Sequence, residues 1–194
     1  MSQQERAKWD ERFRTGDHAD KQPDPFLEQL EEYSDLFLET RRALDVACGA
    51  GRNAVYLAEK GWNVTACDIS QEGLRRAKAL ATERGVRLEL FCQDLFCQDL
   101  ETASLGTSCF DLIICFFYLE RNLIPVLKAA LKPQGLIVYK TYSVEQLRFP
   151  GRPRHPMHLL ERQELLELFR GFRILAYQET VQERGVAQLI AQKP

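Results

Sequence analysis

In Asp45-Val46-Ala47-Cys48-Gly49-Ala50-Gly51-Arg52-Asn53 an apolar run ends in glycines and a helical pattern starts at once. Glycine lets a backbone come close to a ligand, and a helix N-terminus offers unpaired N–H groups to negative charge. Glycines at this spacing serve more than one nucleotide cofactor, so the turn alone does not choose among them. Nineteen residues past Gly49, at the end of the next apolar run, stands Asp68. An acid at that point accepts hydrogen bonds from ribose hydroxyls. The bland alternative is a structural turn with an unrelated acid; taken together, the two features point to a cofactor that contains adenosine.

Two further features narrow the choice, and one repeat complicates it. Asp45 lies four residues before Gly49, inside a strand where dinucleotide enzymes carry apolar residues. Gln93-Asp94-Leu95 closes the third strand and sets an acid within reach of an adenine amino group. Phe91–Leu95 and Phe96–Leu100 repeat the five residues FCQDL in tandem, which makes Asp99 a rival of Asp94. A duplication this short reads as a loop insertion, and Asp94 is preferred because it ends the strand directly.

These residues need a frame of alternating strands and helices. Apolar runs at Ala43–Cys48, Trp62–Cys67, Val86–Cys92 and Leu136–Tyr142 predict strands, and the unbroken run Phe110–Phe117 predicts one covered on both faces. Helical spacing is expected over Ser2–Arg14, Phe26–Tyr33, Asn53–Lys60, Asn122–Leu131 and Glu161–Phe169. A further helix should begin at a Ser70 cap and end at Gly85. Phe172–Thr180 and Gly185–Ala191 follow one another with no room for a helix between them. The order implies a Rossmann-like, doubly wound, seven-stranded and mostly parallel α/β sheet with an antiparallel C-terminal hairpin. A chain of 194 residues fits a single domain, with residues 1–40 as an N-terminal helical cap and 41–194 as the core.

Composition excludes some classes. A hydrophobic fraction of 45% and a charged fraction of 28% are those of an ordinary globular protein. A net charge of −2 supplies no global basic field, so nucleic acid is not an expected partner. No run is long enough for a membrane span, and Met1–Asp20 is too polar and mixed in charge for a leader, so a cytoplasmic protein is expected. The six cysteines, Cys48, Cys67, Cys92, Cys97, Cys109 and Cys115, form no C-x-x-C pair and no zinc-like cluster with histidine. They are expected to be reduced and mostly buried, and no metal site is expected.

With Phe110-Asp111-Leu112-Ile113 and Leu131-Lys132-Pro133-Gln134-Gly135 added, the ordered series from Ala43 to Tyr142 resembles the class I S-adenosylmethionine-dependent methyltransferases. Within them, Gly51-Arg52-Asn53-Ala54 followed by Leu57-Ala58 is similar to the tellurite-resistance methyltransferase group. The Trp-x-x-Arg-Phe of Trp9–Phe13 is similar to the segment those proteins fold over the cofactor. One departure is Gln134-Gly135, where the family usually has a glycine pair. The resemblance implies S-adenosylmethionine as cofactor, held by Asp45, Cys48, Gly49, Gly51, Asp68, Ile69, Asp94, Leu95 and Cys115.

The reaction it implies is in-line displacement at a sulfonium methyl group, with a small molecule as the acceptor. A base is needed only when the acceptor arrives protonated, so a thiolate or a metalloid anion would need none. His155, in Gly151-Arg152-Pro153-Arg154-His155-Pro156, is the one candidate base near the expected acceptor mouth, and it reads equally as a lid or surface histidine. Arg152 and Arg154 could hold an anionic acceptor or simply belong to a solvated loop. Tyr118 and Arg121 follow the fourth strand, where acceptors sit in related enzymes. Cys115-Phe116-Phe117-Tyr118 lacks the Asn/Asp-Pro-Pro-Tyr/Phe pattern of enzymes that methylate DNA amines or protein amides, so those substrates are not expected. Two rivals remain: a non-catalytic cofactor-binding partner protein, and an NAD(P)-dependent oxidoreductase on the same kind of sheet.

Overall fold

The computed structural model describes residues 2–16, 22–95, 105–151 and 153–194. In chain order the elements are α1 (Ser2–Arg14), α2 (Pro25–Glu28), β1 (Arg42–Val46), α3 (Arg52–Glu59), β2 (Asn63–Asp68), α4 (Gln71–Glu83), β3 (Glu89–Cys92) and β4 (Phe110–Phe116). Then come α5 (Ile124–Ala130), β5 (Leu131–Tyr142), α6 (Glu164–Leu168), β6 (Arg173–Val181) and β7 (Gly185–Gln192). The strands form one seven-stranded sheet in the order β3-β2-β1-β4-β5-β7-β6. Pairings from β3 through β5 are parallel, and β7 runs antiparallel to both β5 and β6.

Side-chain alternation sends each strand's residues to two cores. Leu44, Val46, Ile113, Ile137 and Tyr139 meet Ile124 and Leu127 of α5 and Leu165 of α6. Ala43, Leu112, Ile114, Leu136 and Val138 meet Phe26 and Leu27 of α2 and Ala54 and Leu57 of α3. Every residue of β4 is buried, as its unbroken apolar run demands. Each buried leucine or isoleucine contributes ~1.5–3 kcal/mol, so these central strands are the rigid part of the molecule. The order reverses between β1 and β4, and in open sheets of this kind ligands bind beyond the carboxyl ends of the strands at such a point.

Local departures from expectation have local causes. The helix expected over Phe26–Tyr33 is α-helical only through Glu28, then continues as a 3₁₀ turn over Gln29–Leu36 with a kink at Tyr33. Gln163 takes a left-handed conformation (φ 61°), which shortens the helix expected over Glu161–Phe169 to Glu164–Leu168. β5 begins five residues before the expected Leu136, because Leu131 pairs with Phe110 ahead of a register shift. There Gln134 adopts φ 63°, the conformation that a glycine pair would take without strain. The strand expected from Val86 pairs only from Glu89, at the edge of the sheet.

Among the described cysteines Cys67 and Cys115 are buried, Cys48 and Cys109 partly buried and Cys92 exposed, so the thiols are less buried than expected. Cys92 ends the edge strand β3, which pairs on one side only, with β2, so its outer side has no strand beside it. Among the described residues no helix is long and apolar enough to cross a membrane, and no group of side chains has metal-binding geometry. Cys97, Asp99, His18 and Arg152 lie outside the described residues.

Candidate cofactor site

The glycine turn leaves β1 through a run of left-handed residues: Ala47 (φ 56°), Gly49 (φ 54°) and Gly51 (φ 78°). The Cys48 N–H donates to the Cys67 carbonyl at 3.0 Å, which fastens the turn to β2, and the Gly51 N–H donates to the Cys48 carbonyl at 2.9 Å. Ala47 carries a Cβ in this region, a strain of roughly 1–2 kcal/mol that the flanking strand must hold. Gly51 has a second reason to be glycine. A Cβ there would lie 2.6 Å from the Ala77 Cβ, so its bare backbone is what lets α3 and α4 pack closely.

Asp68 closes the turn from the end of β2. Its two carboxylate oxygens accept from the Gly49 N–H and the Ser70 N–H, both at 2.8 Å. Each oxygen keeps a second lone pair, so ribose hydroxyls can still be received. Burial raises the Asp68 carboxyl above its ordinary range and the charge of Asp10 adds to the rise, while the N–H groups of Ser70, Gly49 and Ile69 oppose it.

Asp45 is more isolated. The residue is 2% exposed, and its Oδ2 is buried with no hydrogen-bond partner. Burial, then the neighbouring Asp68, push its carboxyl well above the ordinary range; the Ala54 N–H and the Arg52 charge pull the other way. An unpartnered carboxylate oxygen beside a cavity is an open acceptor for an ammonium group.

Helix α1 lies across this turn. Phe13 sits over both Gly49 and Gly73, where an added Cβ would meet its ring at 3.0 Å. Asp10 accepts from the Ser70 hydroxyl at 2.6 Å and from the Glu72 N–H at 3.0 Å, which pins α1 to the N-terminus of α4. Glu5, Trp9 and Phe13, four residues apart, turn one face of α1 toward the cavity. The sequence reading named Trp9 and Phe13 but missed Asp10, Glu5 and Asn53. The four-residue spacing from Trp9 could have found Glu5. Nothing local singles out Asp10, whose partners are about sixty residues away.

Together these elements enclose a cavity of about 250 Å³. One water occupies roughly 30 Å³ of liquid, so this is space for a ligand rather than a packing flaw. It gathers Asp45, Cys48, Gly49, Asp68, Ile69, Asp94, Leu95 and Tyr118 of the sequence-predicted set, and adds Phe116 and Phe117 at the end of β4. Phe117 is itself left-handed (φ 59°).

Gly51, Cys115, Arg121 and His155 do not line the cavity. Cys115 is buried in the sheet and its thiol donates to the Tyr118 carbonyl. The Arg121 guanidinium pairs with Glu164 at 2.5 Å and donates to the carbonyls of Met157 and Leu159, so it fastens the loop before α6. His155 accepts from the Met157 N–H as the cap of a short 3₁₀ turn. Its backbone-directed ring is a structural feature of that turn.

The adenosine-cofactor chemistry read from this geometry agrees with known proteins. Residues 43–135 match the family described as Methyltransferase domain. A ubiquinone biosynthesis O-methyltransferase from Idiomarina loihiensis is 32% identical over 109 residues, which are 53% of this chain and 43% of that protein. One of the same name from Bordetella avium is 29% identical over 122 residues, 60% of this chain and 48% of that protein. The matched stretch thus spans less than half of the length of these relatives. Among solved structures, TehB from Haemophilus influenzae shares the fold with a TM-score of 0.74 at 16% identity, covering 96% of this chain and 67% of that one. A SAM-dependent methyltransferase from Aquifex aeolicus does so with a TM-score of 0.65 at 20% identity, covering 98% of each chain. The residues present fit such a cofactor: Asp45 keeps one buried carboxylate oxygen without a partner, and each Asp68 oxygen accepts from one backbone N–H and keeps a second lone pair. Residues 43–135 are thus similar to the methyltransferase domain family, and the fold is that of solved S-adenosylmethionine-dependent methyltransferases.

Proposed function

We propose that this protein transfers the methyl group of S-adenosylmethionine to a small-molecule acceptor. The observation that carries the reading is the buried, unpartnered Oδ2 of Asp45, facing a cavity that also holds Asp68 and Asp94. Bound S-adenosylmethionine supplies a methyl group already activated on a sulfonium. Asp45 would receive its ammonium group, Asp68 its ribose hydroxyls and Asp94 its adenine amino group, with Ile69 and Leu95 as apolar walls. Trp9 and Phe13 on α1 exclude water from above, and Phe117 and Tyr118 bound the side left for the acceptor. Alignment and water exclusion are what a protein contributes to such a displacement, and they are worth several kcal/mol or more.

His155, the histidine considered as a base, does not line the cavity. A soft nucleophile that arrives as a thiolate or a metalloid anion needs no base, and this supports the soft-acceptor reading. A hydroxyl acceptor is the second reading, favoured by the O-methyltransferase names of the relatives. The test is incubation with S-adenosylmethionine and panels of thiols, phenols, small amines and metalloid anions, with detection of S-adenosylhomocysteine. Acceptor-dependent release supports methyl transfer. Tight cofactor binding with no turnover on any panel would contradict it and favour a non-catalytic, cofactor-binding role.

A further inference from the structure

Once Asp45, Asp68 and Asp94 are assigned to the cofactor, a reading on which this inference rests, the cavity lining that remains has a marked chemistry. It consists chiefly of the Trp9, Phe117 and Tyr118 rings and the carboxylate of Glu5. The side-chain oxygen of Asn53 is engaged by the Asp24 N–H at 2.9 Å. Arg52 faces Asp45 and reaches the Gln22 carbonyl. Among the described residues the cavity is therefore lined by four carboxylates, Glu5, Asp45, Asp68 and Asp94, and one guanidinium, Arg52.

Other cations stand at this wall without lining the cavity, among them Arg12, whose guanidinium lies over the Trp9 ring at 4.6 Å from its centroid. Lys140 approaches the Phe117 ring but is paired with Asp24 at 2.7 Å. Arg184 rests its guanidinium 5.9 Å from the Phe117 centroid without lining the cavity. Lys8 lies 3.4 Å from Glu5 on the outer side of α1, half-exposed.

We propose that the acceptor is a neutral or cationic planar molecule, an aromatic hydroxyl, thiol or amine, and that Glu5 turns anions away. On transfer the acceptor's oxygen, sulfur or nitrogen bonds the methyl carbon as the carbon–sulfur bond of the sulfonium breaks, S-adenosylhomocysteine leaves, and the acceptor's proton passes to solvent at the mouth. An aromatic acceptor stacks on the rings of this wall, and a positive group on it is drawn to the ring faces and Glu5. An anion would give up its hydration to meet the Glu5 carboxylate at short range in a partly desolvated space. Metalloid oxyanions drop out of the soft-acceptor class for the same reason, while neutral thiols stay in it.

The experiment uses the whole protein with S-adenosylmethionine and size-matched pairs: catechol against 3,4-dihydroxybenzoate, benzyl mercaptan against 4-(mercaptomethyl)benzoate, and tellurite and selenite alongside. Methyl transfer is read as S-adenosylhomocysteine formed, and acceptor binding as Trp9 fluorescence in protein saturated with S-adenosylhomocysteine. The neutral member of each pair is expected to win by about tenfold or more in kcat/KM or in affinity. Glu5→Lys should shrink or reverse that ratio, read in protein saturated with S-adenosylhomocysteine so that any change in cofactor affinity drops out; an unchanged ratio overturns the role of Glu5. Equal or better use of the anionic members or of tellurite overturns the proposal, as does failure of every neutral aromatic probe to bind the loaded protein. Failure of S-adenosylhomocysteine itself to bind strikes instead at the cofactor reading beneath it.

Discussion

Asp111 and Asp45 are both 2% exposed on neighbouring strands of one sheet, and the protein treats them in opposite ways. Asp111 enters β4 at the amino edge with its acceptors filled. The Lys132 ammonium lies 2.7 Å from Oδ1, and the Thr40 hydroxyl and Arg42 N–H donate to Oδ2 at 2.5 and 2.7 Å. Burial alone would raise its carboxyl, but these three donors outweigh burial and hold it below the ordinary range. Asp45, near the carboxyl edge of β1, has one oxygen with no partner and a carboxyl pushed well upward. The amino edge is finished for stability, and the carboxyl edge is left incomplete for something that binds.

Substitutions can break that comparison, and the largest effect is expected at Asp68. Asp68→Ala removes the acceptor of two backbone N–H groups as well as the ribose site. Cofactor affinity should fall by about a hundredfold, the equivalent of one or two charge-assisted hydrogen bonds, measured by titration calorimetry with S-adenosylhomocysteine. Unchanged affinity would remove Asp68 from the site.

Next comes Asp111→Ala, which strands Lys132 at the opposite edge. Breaking a buried ion pair costs ~3–5 kcal/mol, and the partial exposure of Lys132 lowers the expectation to about 2–3 kcal/mol in urea unfolding. Cofactor affinity should not change.

Asp45→Asn should do the reverse, weakening the cofactor by about tenfold while leaving the ligand-free protein as stable or more so. The pH dependence separates the two aspartates by sign. A carboxyl held above its ordinary range keeps its proton longer when folded than when unfolded. Its contribution to stability is therefore complete at low pH and is lost as pH rises through the raised value. For Asp45 the stability advantage of the asparagine variant should grow as pH rises above the ordinary carboxylate range. Asp111 is lowered, so its contribution is present above the ordinary carboxylate range and is lost as pH falls through the lowered value. The penalty of the Asp111 substitution should accordingly shrink in acid, and parallel slopes for the two variants would contradict the contrast.

The smallest effect expected is Gly51→Ala. The new Cβ would meet Ala77 at 2.6 Å in a left-handed conformation. A loss of about 1–3 kcal/mol in thermal unfolding is expected, with cofactor affinity affected only through the shift of α3.

Most of the fold was legible because it is written in local patterns. The apolar runs gave the central strands, Ser70 accepts from the Gly73 N–H as the expected cap of α4, and the last two strands had no helix between them. That Asp45, Gly49, Asp68 and Asp94 share one cavity was legible for a similar reason: they stand at or just past strand ends, where chain order fixes position in space. What escaped depends on contacts between distant segments. Arg121 looked like an acceptor residue beside β4, but its partner Glu164 is forty-three residues on. Glu5 reads as one more charge on a surface helix until α1 is seen lying across the glycine turn. Gln134 departs from a glycine pair by adopting the left-handed conformation itself, an adjustment that no spacing pattern reveals.

If the incomplete carboxyl edge binds an S-adenosyl cofactor, isothermal titration of the purified protein should give micromolar binding of S-adenosylhomocysteine, lost or weakened in Asp45→Asn, and no heat from NADH titrated in parallel. Binding of NADH alone, or S-adenosylhomocysteine affinity that is indifferent to Asp45, would contradict that reading.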